Sequence, residues 1–371
     1  MATYIHERAD WPNFTWDAAA LAAPLAGLRY RQGLMIGRMD GLGLETRQEA
    51  DLENIAATVV RSSAIEGDIL DYAAVRSSVA RNIGIDDGVH SPFDRHIDGT
   101  VQMTLDATKN YFAPLTRERL FGWHALLFPT GYSGMRKIPV GGWRNEESDP
   151  MQVISGGGAR ERVHFEAPSA ARLPGEMTAF LEWLDSPHQD DPLLRAGVAH
   201  LYFVTLHPFA DGNGRIARAI ADMCLARAED DPMRFYSVSS AVERNRPQYY
   251  DILESTQRGG MEITRWLSWF IGIVGDAIEG AEKTLNRAAE KRAIWRKADD
   301  FGMNQRQRVV LTRLLGDFKG NLTSGRYAKL AKCSTDTALR DIEELIRADI
   351  LARNDAGGRS TSYRLNDANE R

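Results

Sequence analysis

Cysteine is scarce in this chain, with Cys224 and Cys333 the only two among 371 residues. They stand far apart and in none of the usual metal spacings, which excludes a disulfide framework and a cysteine-rich zinc site. They read as reduced, buried thiols. Long apolar runs are missing as well. The most apolar window, residues 266–274, is half the length of a membrane span and is closed by Asp276, so it reads as a core helix. The first residues, Met-Ala-Thr-Tyr-Ile-His-Glu-Arg, lack the basic stretch and apolar run of a secretory signal. Neither sign of charge dominates, and a net charge of -5 gives no reason to expect a polyanion as the main partner. Repeats and low-complexity tracts are absent. These absences lead to the expectation of a soluble, cytoplasmic protein with no membrane partner.

Apolar residues at 43% and charged residues at 26% are ordinary globular usage, and the length allows two or three domains. Residues 16–79 show apolar positions three and four apart with few Gly or Pro, the pattern of helices. Gly84, Asp86, Asp87, Gly88, Ser91 and Pro92 mark a loop. Helical spacing returns over 93–128, with Leu115-Thr116-Arg117-Glu118 as a helix start. Residues 129–168 are rich in Gly and Pro, and two β-type runs around Gly156-Gly157-Gly158 predict a hairpin at 151–166. Helices resume from Gly175 to about Arg296, with breaks at 187–192 and 230–240.

The last stretch holds three helical segments, 305–315, 323–331 and 335–347. Two short strands follow around a Gly357-Gly358 turn, and the whole resembles a winged helix-turn-helix. The divisions expected are therefore 1–92, 93–275, a helical linker 276–303, and 304–371. From Asn304 to Asp367 there are 12 Lys/Arg against 8 Asp/Glu, a local charge of +4. The last helix carries Arg340 and Arg347 but also Asp341, Glu343 and Glu344, whereas DNA contact needs a positive face. Two readings stand side by side. One is a DNA-binding module using Ser334, Thr335, Thr337 and Arg340 at the helix start and Arg359 in the wing. The other is a module for protein contacts, including a homodimer.

The segment with the most chemistry is 207–218. A continuous apolar run, 198–206, ends at His207-Pro208. Asp211-Gly212-Asn213-Gly214 is a turn sequence, and Arg215-Ile216-Ala217-Arg218 resumes a helix. A glycine turn opening onto a helix N-terminus points backbone N–H groups outward and suits a phosphate. Arg215 and Arg218, three apart, share one side of the first turn, and two guanidinium forks suit a polyphosphate. Asp211 offers a hard oxygen for Mg²⁺, and His207 a general base near neutral pH.

This segment resembles the signature of the Fic family, His-Pro-Phe-x-Asp-Gly-Asn-Gly-Arg-x-x-Arg, and every defined position matches. The resemblance implies a mainly α fold: a Fic-type helical bundle with a small β-hairpin flap, here at 151–166, plus the C-terminal winged helix-turn-helix. It also implies protein adenylyl transfer, in which AMP passes from ATP to a Tyr, Thr or Ser hydroxyl of a target protein or of the chain itself. By the same resemblance His207 would take the proton and Phe209 would anchor the loop. Asp211 would hold Mg²⁺, while Gly212, Asn213 and Gly214 would form the anion hole. Arg215 and Arg218 would grip the β- and γ-phosphates. Asn245, Tyr249 and Tyr250 resemble the stretch that lines the adenine pocket, and the flap would hold the target by adding it as a strand.

Ser62 and Glu66 are four apart on a predicted helix and share a face. With Gly67 they resemble the family's inhibitory motif, Ser/Thr-x-x-x-Glu-Gly/Asn. The resemblance implies that Glu66 pairs with Arg218 in the place of the γ-phosphate. Other readings are a Fic enzyme that removes AMP or uses another nucleotide, and a DNA-binding regulator with a regulatory nucleotide site.

Overall fold

The computed structural model describes residues 3–41, 43–85, 92–145, 150–156, 162–187, 189–231, 233–315, 318, 320–354 and 361–366. The chain divides into two compact units, Met1–Ala281 and Glu282–Arg371. The first is built on helices α1 (Ala18–Asp40), α2 (Leu44–Ile65), α3 (Tyr72–Ile83), α4 (Arg95–Lys109) and α5 (Arg117–Leu127). Strands β1 (Tyr132–Ser133) and β2 (Arg136–Lys137) form one antiparallel pair. Strands β3 (Gln152–Ser155) and β4 (Arg162–Glu166) form another. Helices α6 (Leu173–Asp185), α7 (Pro192–Leu206), α8 (Asn213–Glu229), α9 (Val238–Arg244) and α10 (Arg246–Gln257) follow, then α11 (Thr264–Phe301).

The helix starts are written in the sequence. Asp17, Asp71, Asp94 and Asp191 accept first-turn N–H groups, and so does Thr116, which receives the Arg119 N–H at 3.1 Å. The apolar run before His207 forms α7, buried from Val198 to Leu206 on every side. It packs on α8, and α8 packs in turn on α4 and α2. A hydrophobic helix surrounded by others is the expected outcome of such a run.

The hairpin forms where the β-type runs predict it. Gln152 pairs with Glu166 and Val153 with Phe165, while a bulge between Val153 and Ile154 shifts Ile154 opposite Val163. Gly157 and Gly158 of its turn lie outside the described residues. One expectation needs correction. The stretch 62–67 does not lie wholly on a helix: α2 stops at Ile65, Glu66 is its cap, and Gly67 turns the chain at φ 88°. Glycine at that left-handed position is the ordinary way to end a helix.

In the second unit, Ile294 and Ala298 of α11 share a core with α12 (Gln305–Leu315), α13 (Ser324–Ala331), α14 (Thr335–Arg347) and the antiparallel strands β5 (Leu351–Arg353) and β6 (Tyr363–Leu365). Asp341 is buried, held by Arg306 at 2.9 Å and 3.0 Å, and Glu344 accepts from Gln307 at 2.8 Å. These two acids of α14 therefore bind within the unit. Gly357, Gly358 and Arg359 lie outside the described residues. Among those residues, no helix is long and apolar enough to cross a membrane.

Helices α4 and α5 come close together at Gly99, where an added Cβ would sit 2.0 Å from the Leu126 carbonyl oxygen. Backbone on both sides leaves no flexible group to yield. Gly99→Ala should lower the unfolding free energy by about 1–3 kcal/mol, the usual cost of overpacking, read from urea titration of the full chain.

Candidate active site

The loop between α7 and α8 is held from inside. His207 ends α7 in a left-handed conformation, φ 49°, with its N–H on the Phe203 carbonyl at 3.1 Å. Phe209 is fully buried. It stacks on His124 at 4.3 Å between ring centroids and meets the Trp143 ring at 5.2 Å. The Asn213 side chain grips the Phe209 backbone twice, accepting its N–H at 2.9 Å and donating to its carbonyl at 2.8 Å. Gly212 takes φ 80°, and a Cβ there would lie 2.9 Å from the Phe128 ring. So the asparagine amide closes the loop, and the first-turn N–H groups of Asn213, Gly214 and Arg215 are left without intrahelical acceptors.

This loop forms one wall of a cleft of about 620 Å³, lined also by β3 and by Tyr249, Tyr250 and Leu253 of α10. His207 and residues 211–214 all line it. The His207 Nδ1 donates to the Val204 carbonyl at 3.0 Å, which leaves the lone pair on Nε2. Burial, with a smaller contribution from the Arg144 charge, holds the His207 imidazole below its ordinary pKa, so the ring is neutral at pH 7. Asp211 accepts the Gly212 N–H at 2.6 Å and the Ser133 hydroxyl.

Arg215 and Arg218 are both buried beside the loop. The Arg215 guanidinium lies over the Phe128 ring at 5.1 Å, and among the described residues Arg215 Nε and Arg218 Nη1 have no hydrogen-bond partner. Arg218 meets the end of α2. Its Nε donates to the Ser62 hydroxyl at 2.9 Å, and its Nη2 to the Ser62 carbonyl at 2.8 Å and to Glu66 Oε1 at 2.8 Å. Glu66 reaches this seat because position 214 has no side chain: a Cβ there would be 2.1 Å from Glu66 Oε1. Two residues on, Asp68 stands 3.6 Å from Arg215 and 2.7 Å from His96. The Tyr250 hydroxyl donates to the Ile65 carbonyl at 3.2 Å, tying α10 to the same turn.

Of the residues expected at an adenine pocket, Tyr249 and Tyr250 reach the cleft, whereas Asn245 is not among its lining residues. Asn245 is the junction of α9 and α10, and its amide donates to the Ala241 carbonyl at 3.0 Å. Tyr249 is buried, with its hydroxyl 2.9 Å from His200. Sequence spacing did not single out Asp68, Arg144 or Glu254. Each comes from a segment remote from the loop, and only folding brings it near.

Residues 114–225 match the model of the Fic/DOC family. The chain carries a Fic domain. Ahead of it, residues 4–85 match a domain of unknown function, DUF4172, which contains Glu66. The chain is 30% identical over 142 residues to the protein adenylyltransferase Fic of Drosophila virilis and to that of Drosophila melanogaster. The match takes in 37% of this chain and spans about a quarter (26%) of the length of those relatives. A Fic family protein from Desulfovibrio desulfuricans shares the fold at a TM-score of 0.55 and 22% identity, over 95% of this chain and 98% of that one. A Fic domain containing signaling protein from Bacteroides thetaiotaomicron does so at 0.50 and 21%, over 70% and 97%.

Two histidines of the Fic domain are buried uncharged. Burial pushes His124 down to about 4 and His200 down to about 3, from an ordinary 6.5. The unfolded chain binds these protons first, so this stability is complete above pH 6.5 and drains away as pH falls toward 4 and below. Urea midpoints at pH 7.5, 6 and 5 should fall in that order, with His124 and His200 together taking up close to two protons on unfolding at the lowest pH.

Proposed function

We propose that this protein transfers AMP from ATP to a Tyr, Thr or Ser hydroxyl of a protein, itself included, and that Glu66 restrains it. One observation carries the reading. Inside a loop that matches the Fic signature at every position, the second arginine is engaged by a carboxylate from the turn that ends α2, at 2.8 Å. Nucleotide phosphates are the ligands for which buried, partly unsatisfied guanidinium groups beside a helix N-terminus are suited.

In this reading His207 Nε2 takes the proton of the target hydroxyl. The oxygen attacks the α-phosphorus, the bond from that phosphorus to the bridging oxygen breaks, and pyrophosphate leaves. The N–H groups of the α8 first turn and the two arginines oppose the charge on the phosphates. Asp211 is the residue that would hold Mg²⁺. It is a single carboxylate with lone pairs to spare, and among the described residues no cluster of three metal-ligating side chains occurs. That donor set fits an ion bound mainly through phosphates, which would supply charge neutralisation at the leaving group. Among the described residues strand β3, along the cleft, pairs with β4 alone, which leaves an edge where an extended target segment can add.

Glu66 occupies one donor of Arg218 and the space above Gly214. A γ-phosphate seeking Arg218 meets a like charge there, so the α-phosphate is misplaced for attack. Asp68 places a second negative charge near Arg215.

Incubation with ATP labelled at the α- or γ-phosphate tests the reading. Glu66→Gly should raise protein labelling from α-label by on the order of tenfold or more, equivalent to about 1.4 kcal/mol of barrier. His207→Ala in that background should abolish it, and γ-label should not transfer. No labelling by Glu66→Gly in lysate or on itself contradicts adenylyl transfer. Equal labelling by wild type and Glu66→Gly contradicts the restraint.

A further inference from the structure

Arg144 is 2% exposed, and three of the groups it donates to belong to the site or border it. Its Nε donates to the carbonyl of His207 at 2.9 Å, and its backbone N–H to the carbonyl of Pro208 at 2.9 Å. Its Nη2 donates to the carbonyl of Pro168. Pro168 follows β4 by two residues, and next to it the Ala167 N–H closes the hairpin root on the Met151 carbonyl at 2.9 Å. One planar group therefore joins the backbone of the candidate base to the root of the hairpin beside the cleft.

We propose that Arg144 is a positioning residue that sets His207 in register with the β3–β4 hairpin, and so with the hydroxyl the hairpin presents. The inference rests on the adenylyl-transfer reading. Its physical basis is threefold. The His207 carbonyl lies past the end of α7, where carbonyls lose their intrahelical donors, and a charged donor satisfies it. His207 is held in the left-handed region at φ 49°, which a non-glycine residue keeps only when its neighbours impose it. The guanidinium is a rigid fork that serves two carbonyls at fixed spacing, whereas an ammonium serves them only one geometry at a time. The adjoining Trp143 packs on Phe209, so the same dipeptide braces three consecutive residues at the start of the loop.

The charged groups acting on the His207 ring are Arg144, which lowers its pKa, and Glu66 and Asp211, which raise it. Geometry and charge can be separated by two variants in the Glu66→Gly background. Arg144→Lys keeps the charge and loses the fork; Arg144→Gln loses both. Both should cut kcat for AMP incorporation by on the order of a hundredfold, as a misplacement of about 1 Å does, with KM for ATP within about threefold of the parent. The acid limb of the pH–rate profile should stay in place for Arg144→Lys and move to higher pH for Arg144→Gln. A kcat within about threefold of the parent in both variants overturns the proposal. So does a fall in kcat matched by a rise in KM for ATP and a fall in Tm, which marks a merely structural role. Should the Glu66→Gly parent transfer no AMP, it is the adenylyl-transfer reading that fails. Carbon-13 NMR of labelled histidine then still tests the contact: unchanged His207 shifts in both variants overturn it.

Discussion

The bidentate grip of Asn213 on the backbone of Phe209 is the constraint on which the site depends. It closes a loop of a few residues between two core helices, with both partners shielded from water. Each such buried bond contributes about 1 kcal/mol, and leaving either backbone group unsatisfied costs about 1–3 kcal/mol. The Phe209 ring, stacked on His124, carries the loop into the core. With the loop fixed in this way, His207 and Asp211 face one cleft and α8 opens its first turn toward it.

Electrostatics then explains the surroundings. Arg144, Arg215 and Arg218 are each nearly excluded from solvent, a costly concentration of cations. Their charge is answered by backbone carbonyls, by the Phe128 ring, and by Glu66 and Asp68 from the turn after α2. The acids that meet Arg215 and Arg218 lie two residues apart in the segment 4–85, which matches a different family model. A short acidic turn can thus stand where an anionic ligand is expected. Withdrawing Glu66 with no anion in its place would leave the buried Arg218 charge short of a partner, whereas Glu66 itself is a third exposed.

Much of this was legible in the residues. The helix starts at Asp17, Asp71 and Thr116, the all-round apolar α7 and the hairpin at 151–166 follow from local chemistry that needs no distant partner. The loop was legible because turn formers, arginines and histidine are packed into twelve consecutive positions. Glu66 was visible only through its resemblance to a known motif. Its true place, one residue past the helix end, depended on Gly67 taking φ 88°. Asn245 stands at the junction of α9 and α10 with its amide on the Ala241 carbonyl, while Tyr249 and Tyr250 reach the cleft, a difference that sequence spacing does not encode.

By itself, then, the sequence determined the helical character, the positions of the helix starts, and the glycine turn of 207–218 with its histidine and two arginines. Those depend on residues within a turn or two of one another. Tertiary structure decided which acid meets which arginine, that Asp341 turns inward, and that Arg144 reaches both His207 and Pro168. These are contacts between segments tens to more than a hundred residues apart. They are selected by the desolvation cost of leaving a buried charge or carbonyl unanswered, and no local pattern encodes that cost.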